Sequence, residues 1–216
     1  MLKLKTRLKS EAIIGYDKAF KLYPFLVNIN CFLKDYVTAD KKRADNIINA
    51  YCSQFGINQR MIVVTLQREQ GLLNHKTIDT VKPYYKWLII KTDGKQRAVN
   101  VPNKKQSPKL EPGEIIKDQI QMELIDWACG YGVPDDGVNM AFKGFEEQVK
   151  GACKIYRSHY LTWKPGLQKE LVPPDKEKWC EPENAETYSL LMFTPHQSVL
   201  KKNEDYYNQY FPGYTV

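Results

Sequence analysis

The chain has 216 residues and a mass of 25.2 kDa, enough for one domain built on a single core. Its 43% hydrophobic and 26% charged residues exclude the collagen-like, disordered and coiled-coil classes. The longest apolar run, Met61 to Val64 resumed at Leu66, falls short of the ~18 residues that a membrane span needs. The net charge of +7 is polarised: residues 1–110 carry 21 Lys and Arg against 8 Asp and Glu, whereas residues 111–216 carry 11 against 17. A cationic half speeds encounter with an anionic partner, whether nucleic acid, an anionic envelope or an acidic polymer.

Lys3, Lys5, Arg7 and Lys9 open the chain, but Ser10, Glu11, Asp17, Lys18 and Lys21 interrupt any apolar stretch that would complete an export signal, so none is expected. The five cysteines, Cys31, Cys52, Cys129, Cys153 and Cys180, are odd in number and lack both C-x-x-C pairing and histidines at zinc-ligand spacing. They read as free thiols of a protein made in reducing cytosol, Cys153 in a helix core, with no metal or other cofactor implied.

Residues 1–39 read as an N-terminal segment of short helices and irregular chain, broken at Pro24, that packs on a main domain over 40–216. Asp40 is the expected N-cap of a helix in which Ala44, Ile47, Ile48, Tyr51 and Cys52 recur at three-and-four spacing and which Gly56 ends. Asn58 caps a second helix, apolar nearly all round and therefore central to the core. Residues 84–92 are β-prone, Asp93-Gly94 signals a type I′ turn, and 96–101 returns with alternating character, which makes a β-hairpin. Past a Pro-rich loop, Ile115, Ile116, Gln119, Ile120, Glu123, Leu124 and Trp127 stand in helical register, so a helix is expected over 114–128, stopped by Gly130-Tyr-Gly132. Three more helices are expected over 143–160, 183–193 and 200–210. The fold class is mainly α within α+β, a helical domain with a small β-hairpin inserted after its buried helix.

Chemistry concentrates at the end of that buried helix. Ile62, Leu66, Glu69 and Leu73 step by four, three and four, so Glu69 projects from the same face as three apolar residues, while Arg68 and Gln70 take positions open to solvent. A carboxyl so desolvated is held in its protonated form, a proton donor; the plainer alternative is a helix-end Glu that turns to water. His75 lies near enough to Glu69 to interact with it, though a loop histidine there is more often a solvated side chain, and His159 ends an amphipathic helix, where the dipole favours its cationic form. Gly130-x-Gly132 has neither a third glycine at the required spacing nor a following helix start, which excludes a dinucleotide-binding loop.

A buried helix ending in a carboxylate, followed at once by a short hairpin and then more helices, is the layout of lysozyme-type glycosidases. The segment 56–72 (GINQRMIVVTLQREQGL) resembles the catalytic-Glu helix of lysozyme-like cell-wall hydrolases of bacteria and phages, related to lytic transglycosylases and goose-type lysozymes. Segments 126–132 (DWACGYG), 143–148 (KGFEEQ) and 188–196 (YSLLMFTPH) resemble, in the same order, that family's groove-lining motifs, so the likeness spans residues 40–211. The resemblance implies a lysozyme-like fold and a peptidoglycan glycosidase, muramidase or lytic transglycosylase, that cuts the β-1,4 bond between N-acetylmuramic acid and N-acetylglucosamine. It implies Glu69 as general acid and a glycan cleft lined by Gln70, Tyr131, Phe145, Gln148, Tyr188, Phe193, Thr194 and His196. Where relatives often show Tyr-Asn, this chain has Leu191-Met192, so a polar cleft contact is missing. The implied partners are peptidoglycan strands and the anionic bacterial envelope, and the implied setting is a phage lysis or virion-associated protein that acts at the cell wall.

Glycoside hydrolysis by two carboxylates places the second about 5–5.5 Å away for retention or about 6.5–9.5 Å away for inversion. Asp135, Asp136 and Asp79 are the candidates, each more often a turn residue. A single Glu suffices if it protonates the glycosidic oxygen and then, as carboxylate, deprotonates water or the sugar's own 6-hydroxyl; this version is preferred. Two other classes stand beside it: a non-catalytic glycan-binding or structural virion module with the same fold, and, less favoured, a nucleic-acid binder using Lys and Arg interleaved with Tyr84, Tyr85 and Trp87.

Overall fold

The computed structural model of the chain describes residues 2–4, 13–15, 29–81, 84–91, 93–94, 96–101, 107–133, 139–170, 179–194 and 197–212. Among them run five α-helices and two three-stranded sheets, an α+β architecture. No described helix is long and apolar enough to cross a membrane.

Helix α1 (Ala44–Phe55) ends where expected: Gly56 takes φ 64° and returns its N–H to Cys52 O, a left-handed cap that glycine adopts without a Cβ clash. Its start is a correction. Asp40 is consumed by a turn in which Thr38 and Lys42 pair across Lys41, itself at φ 61°. The helix therefore begins only at Ala44, from an extended Arg43 with no side-chain cap. Arg43 instead donates to Lys34 O at 2.7 Å, tying α1 to a 3-10 turn over Phe32–Lys34. That turn is the helical structure among the described residues of 10–37; residues 10–12 and 16–28 lie outside them.

Helix α2 (Gln59–Gln70) starts as expected, Asn58 accepting the Arg60 N–H at 2.9 Å, and every residue from Gln59 to Gln67 is buried. It is the centre of the core. Around it pack α1, α3 (Phe145–Thr162) and α5 (Gln197–Tyr210), and α4 (Ala185–Phe193) covers α3. The core joins Ile13, Ile29, Phe32 and Leu33 of the N-terminal segment to Met61, Ile62, Leu66, Val149, Tyr156 and Leu190. Each fully buried aliphatic contributes roughly 1.5–3 kcal/mol, so α2 is held on all sides and its C-terminal end is a rigid mount. Cys31, Cys52, Cys129 and Cys153 are free and buried, Cys153 within the helix core as expected, and the Cys180 thiol lies outside the described side chains.

The hairpin forms from β2 (Tyr84–Lys91) and β3 (Gln96–Val101), with Trp87 opposite Val99. Its turn differs from type I′: the Gly94 N–H donates to Lys91 O at 3.0 Å, and Gly94, not Asp93, takes positive φ. The largest correction lies at 114–128. Glu114–Met122 is a strand, β4, antiparallel to β2 on the side away from β3, and only Leu124–Trp127 coils, as a 3-10 turn. Ile115, Ile116 and Ile120 fit a helical register, but β-branched side chains favour extended chain, and the pairing of Ile116 with Ile89 is non-local. A second sheet sets β1 (Leu2–Leu4) parallel to β6 (Trp179–Pro182), with β5 (Lys169–Glu170) antiparallel on the other side; it is not among the expected elements. From β4 the chain runs through buried Met122, Ile125, Trp127, Ala128 and Cys129 and arrives against the end of α2.

Candidate active site

Glu69 is the next-to-last residue of α2. The helix stops one residue later because Gly71 takes φ 63° and donates its N–H to Gln67 O, while the Gln67 side chain accepts the Leu73 N–H at 3.0 Å. The Glu69 side chain is 23% exposed. Its two oxygens are treated differently. Oε1 accepts from Arg68 Nε at 2.7 Å and from Thr194 Oγ1 at 3.5 Å. Oε2 accepts no hydrogen bond from the described residues and faces Gly130, where a Cβ would stand 3.1 Å away. With φ at 68°, Gly130 is favoured as glycine by the backbone, and a Cβ there would also press the carboxylate by a few tenths of an ångström.

Arg68 corrects the expectation of a solvent-facing residue. Its side chain is 4% exposed and pairs with Glu69 through Nη2 as well, at 2.7 Å. Nη1 donates to Asn203 Oδ1 on α5 at 2.9 Å and Nη2 reaches the Tyr156 hydroxyl on α3 at 3.4 Å. The guanidinium also lies over the Phe193 ring, 5.2 Å from its centroid. Thr65 Oγ1 donates to Met61 O, so the Tyr156 hydroxyl, 2.9 Å away, donates to Thr65 and accepts from Arg68. Burial pushes the Tyr156 phenol up against the lowering pull of Arg68, keeping it neutral. Burial alone would disfavour the Arg68 cation; Tyr156 and Glu69 more than offset it.

The loop that carries Gly130 is held from beneath by Gln148. Its Oε1 accepts the N–H groups of Cys129 and Tyr131 at 3.2 and 3.0 Å, and its Nε2 donates to Tyr131 O and Phe142 O at 2.8 and 2.6 Å. At 0% exposure it is a strut, not the glycan contact expected of it. Phe145, 3% exposed and edge-on to Tyr36 at 5.7 Å, is likewise core. The 143–148 motif instead rims a cavity of 280 Å³ shared with Tyr36, Asp40 and Asp126. Tyr131 is half-buried, its ring so close to Gly151 that a Cβ there would fall 2.1 Å away, and its other neighbour is Phe142 at 4.6 Å.

The structure thus gathers Glu69, Thr194 and Gly130-Tyr131, with Phe193 stacked at 4.7 Å on Tyr156 behind them and Gln70 donating to Trp127 O at 3.0 Å. Tyr188 is half-buried on α4 against the ring of His159 at 6.2 Å, and no described contact joins it to Glu69. Asp79 sits exposed on a 3-10 turn over Ile78–Thr80, again without a contact to Glu69. His75 binds Thr80 Oγ1 at 3.1 Å. Asp135, Asp136 and His196 lie outside the described residues. Arg68, Tyr156 and Asn203 are the residues that sequence reasoning missed. Among the described residues no group of His, Cys, Asp and Glu could hold a metal ion. No known family model, curated protein or solved structure matches the chain.

Proposed function

We propose that this chain is a lysozyme-like peptidoglycan glycosidase, a muramidase or lytic transglycosylase, with Glu69 as its single general acid/base. One observation carries the reading: the carboxylate at the end of the central helix has one oxygen anchored, and the other faces a glycine and accepts no hydrogen bond from the described residues. Proton transfer to a glycosidic oxygen needs an oriented carboxyl with an accessible face, held by rigid elements. The order of elements supports the finer fold, since α2 ends in the Glu, an antiparallel sheet follows, and helices complete the domain.

In the proposed cycle, Glu69 as acid gives its proton from Oε2 to the oxygen between N-acetylmuramic acid and N-acetylglucosamine as the C–O bond breaks. The carboxylate so formed takes a proton from water, whose oxygen adds to the anomeric carbon, or from the 6-hydroxyl, whose oxygen closes an anhydro ring. Half-buried Tyr131 would offer aromatic surface to the sugars, while Phe193, stacked on Tyr156 and capped by Arg68, backs the site. Leu191 is fully buried, so the departure at Leu191-Met192 touches the cleft only at Met192. The cationic residues of 1–110 would hold the protein to the anionic envelope, in the setting of a phage lysis or virion-associated protein.

The test is incubation with purified peptidoglycan and mass analysis of the muropeptides: products one water lighter mean anhydro-sugar formation, and intact reducing ends mean hydrolysis. Glu69→Gln should lower release by at least ~10²-fold in protein that is still folded, and should also melt lower, because it removes the carboxylate paired with buried Arg68. A folded wild type that releases nothing overturns the reading. The competing reading is a glycan-binding module without chemistry, which the Arg68–Glu69 ion pair favours because structural ion pairs also create such carboxylates. It requires glycan binding by wild type and Glu69→Gln alike, with no cleavage by either.

A further inference from the structure

We infer that Arg68 is a positioning residue for Glu69: it fixes the plane of the carboxyl group, so that one oxygen meets the guanidinium and the other is presented on the Gly130 side. The inference rests on the glycosidase reading. Neighbours one residue apart on a helix do not face each other, so an ion pair between positions 68 and 69 is not a product of helix geometry. Tertiary partners impose it. Nη1 is fixed by Asn203 from α5, Nη2 by Tyr156 from α3, and the guanidinium face by Phe193 from α4. A guanidinium is planar, with its donors in a rigid fork. Once three helices have set its plane, the direction in which Nε and Nη2 meet Oε1 is set as well.

A carboxylate turning about its last torsion exchanges its two oxygens, and a helix-end Glu in water does so freely. The two oxygens are equivalent and a half-turn restores the same contacts, but every intermediate angle would break those of the inward oxygen to Arg68 and to Thr194 Oγ1. The carboxyl plane is therefore held, and because the inward oxygen already accepts from Arg68, the acid carries its proton on the outward oxygen, on the Gly130 side. The arrangement also accounts for a full cation at 4% exposure: a buried guanidinium persists when its donors are satisfied, and here a carboxylate, an amide oxygen and a phenol share that task. A point charge would serve an ion pair equally well, but only the fork holds Oε1 and both remote anchors at once.

The experiment measures cleavage of soluble, uncross-linked glycan strands by wild type, Glu69→Gln, Arg68→Met, Arg68→Lys and Asn203→Ala, with a thermal melt of each. Misplacement of a reacting group by about 1 Å costs up to ~10²-fold, so Arg68→Met should lose roughly 30- to 100-fold in kcat with KM within about twofold. Arg68→Lys should recover only part of that loss, and added guanidinium ion should raise the rate of Arg68→Met but not of Glu69→Gln. Asn203→Ala, which keeps the ion pair and frees one anchor, should lower kcat several-fold at unchanged KM. A folded Arg68→Met with kcat within threefold of wild type, or a loss confined to KM, overturns the inference and leaves the glycosidase reading intact. Where Arg68→Met fails to fold, a wild-type kcat in Asn203→Ala overturns it equally. A wild type that cleaves nothing removes both.

Discussion

Replacing Gly130 with alanine separates backbone strain from damage to the carboxylate, because Gly56 supplies an internal control. Both glycines are left-handed, at φ 68° and 64°. A Cβ at Gly56 meets nothing within 4 Å, whereas one at Gly130 stands 3.1 Å from Glu69 Oε2. The backbone cost of a left-handed L residue is about 1–2 kcal/mol, part of it offset because alanine also restricts the unfolded chain. At about 2–4 °C per kcal/mol for a chain of this size, both variants should melt a few degrees below wild type and close to each other. Only Gly130→Ala carries the second effect. The added methyl must push Oε2 while Oε1 is anchored, so the carboxyl plane tilts and release of muropeptides should fall roughly 10- to 100-fold, with Gly56→Ala at wild-type turnover. Differential scanning calorimetry and muropeptide release on the same preparations give both quantities. Equal turnover in the two variants would refute the claim that the oxygen beside Gly130 is the reacting one.

Gln148→Leu keeps the size of the strut and deletes four hydrogen bonds to loop backbone. At about 1 kcal/mol each, more where a buried N–H is stranded, it should cost several kcal/mol, read by denaturant unfolding and by faster hydrogen exchange at Cys129 and Tyr131; near-native stability would mean the loop is held by something else. Arg97 grips Glu114 through two bonds of 2.6 Å and, with the Glu111 N–H, holds its carboxyl down at about 2 against the ordinary 4.5. A depressed carboxyl stabilises the fold above its unfolded value, so wild type should melt above Glu114→Gln from about 4.5 upward, and the gap should close as pH falls toward about 2; a pH-independent gap would contradict this. If the excess cations of residues 1–110 serve attachment, lysis of permeabilised cells should weaken as salt brings the screening length to about 8 Å, while cleavage of short soluble glycans should barely change. Equal salt sensitivity on both substrates would move the effect into the cleft.

Much of the helical frame was legible because its signals are local. Gly56 and Asn58 are stop and start chemistry, and the burial of α2 from Gln59 to Gln67 follows from a segment apolar nearly all round. The misreading at 114–128 has the opposite origin. Isoleucines at 115, 116 and 120 satisfy a 3.6 period and a strand equally well, and what selects the strand is β2, some 30 residues earlier, whose open edge accepts the ladder from Tyr84–Met122 to Lys91–Glu114. With Ile115 56% exposed, β4 has no continuous apolar stripe for a helix to bury, and its backbone pairing outweighs any period. Asp40 failed as a cap for a related reason: the turn closed by Thr38 and Lys42 had already used the residues before the helix.

The site was legible where a motif residue faces the end of α2 and illegible where it supports the residues that do. Glu69, Thr194 and Gly130 meet; Gln148 and Phe145, in the same run of motifs, are buried at 0% and 3%, the first acting through the loop backbone it holds and the second by packing on Tyr36. A one-dimensional motif does not distinguish these roles, because a strut constrains sequence as tightly as a contact does. Arg68 shows how the distinction is made physically. On a helix buried on every face there is no solvent side for a charged residue to take, so a cation near its end must find acceptors inside the protein. The nearest candidate is the adjacent carboxylate, and the remaining donors must reach the helices packed alongside. The same reasoning that made α2 central therefore implies that the cation at its C-terminal end, Arg68, and the helix's one anion, Glu69, form a unit, while Arg60, its other buried cation, serves the opposite end; the anion's chemistry then depends on how Arg68 is held.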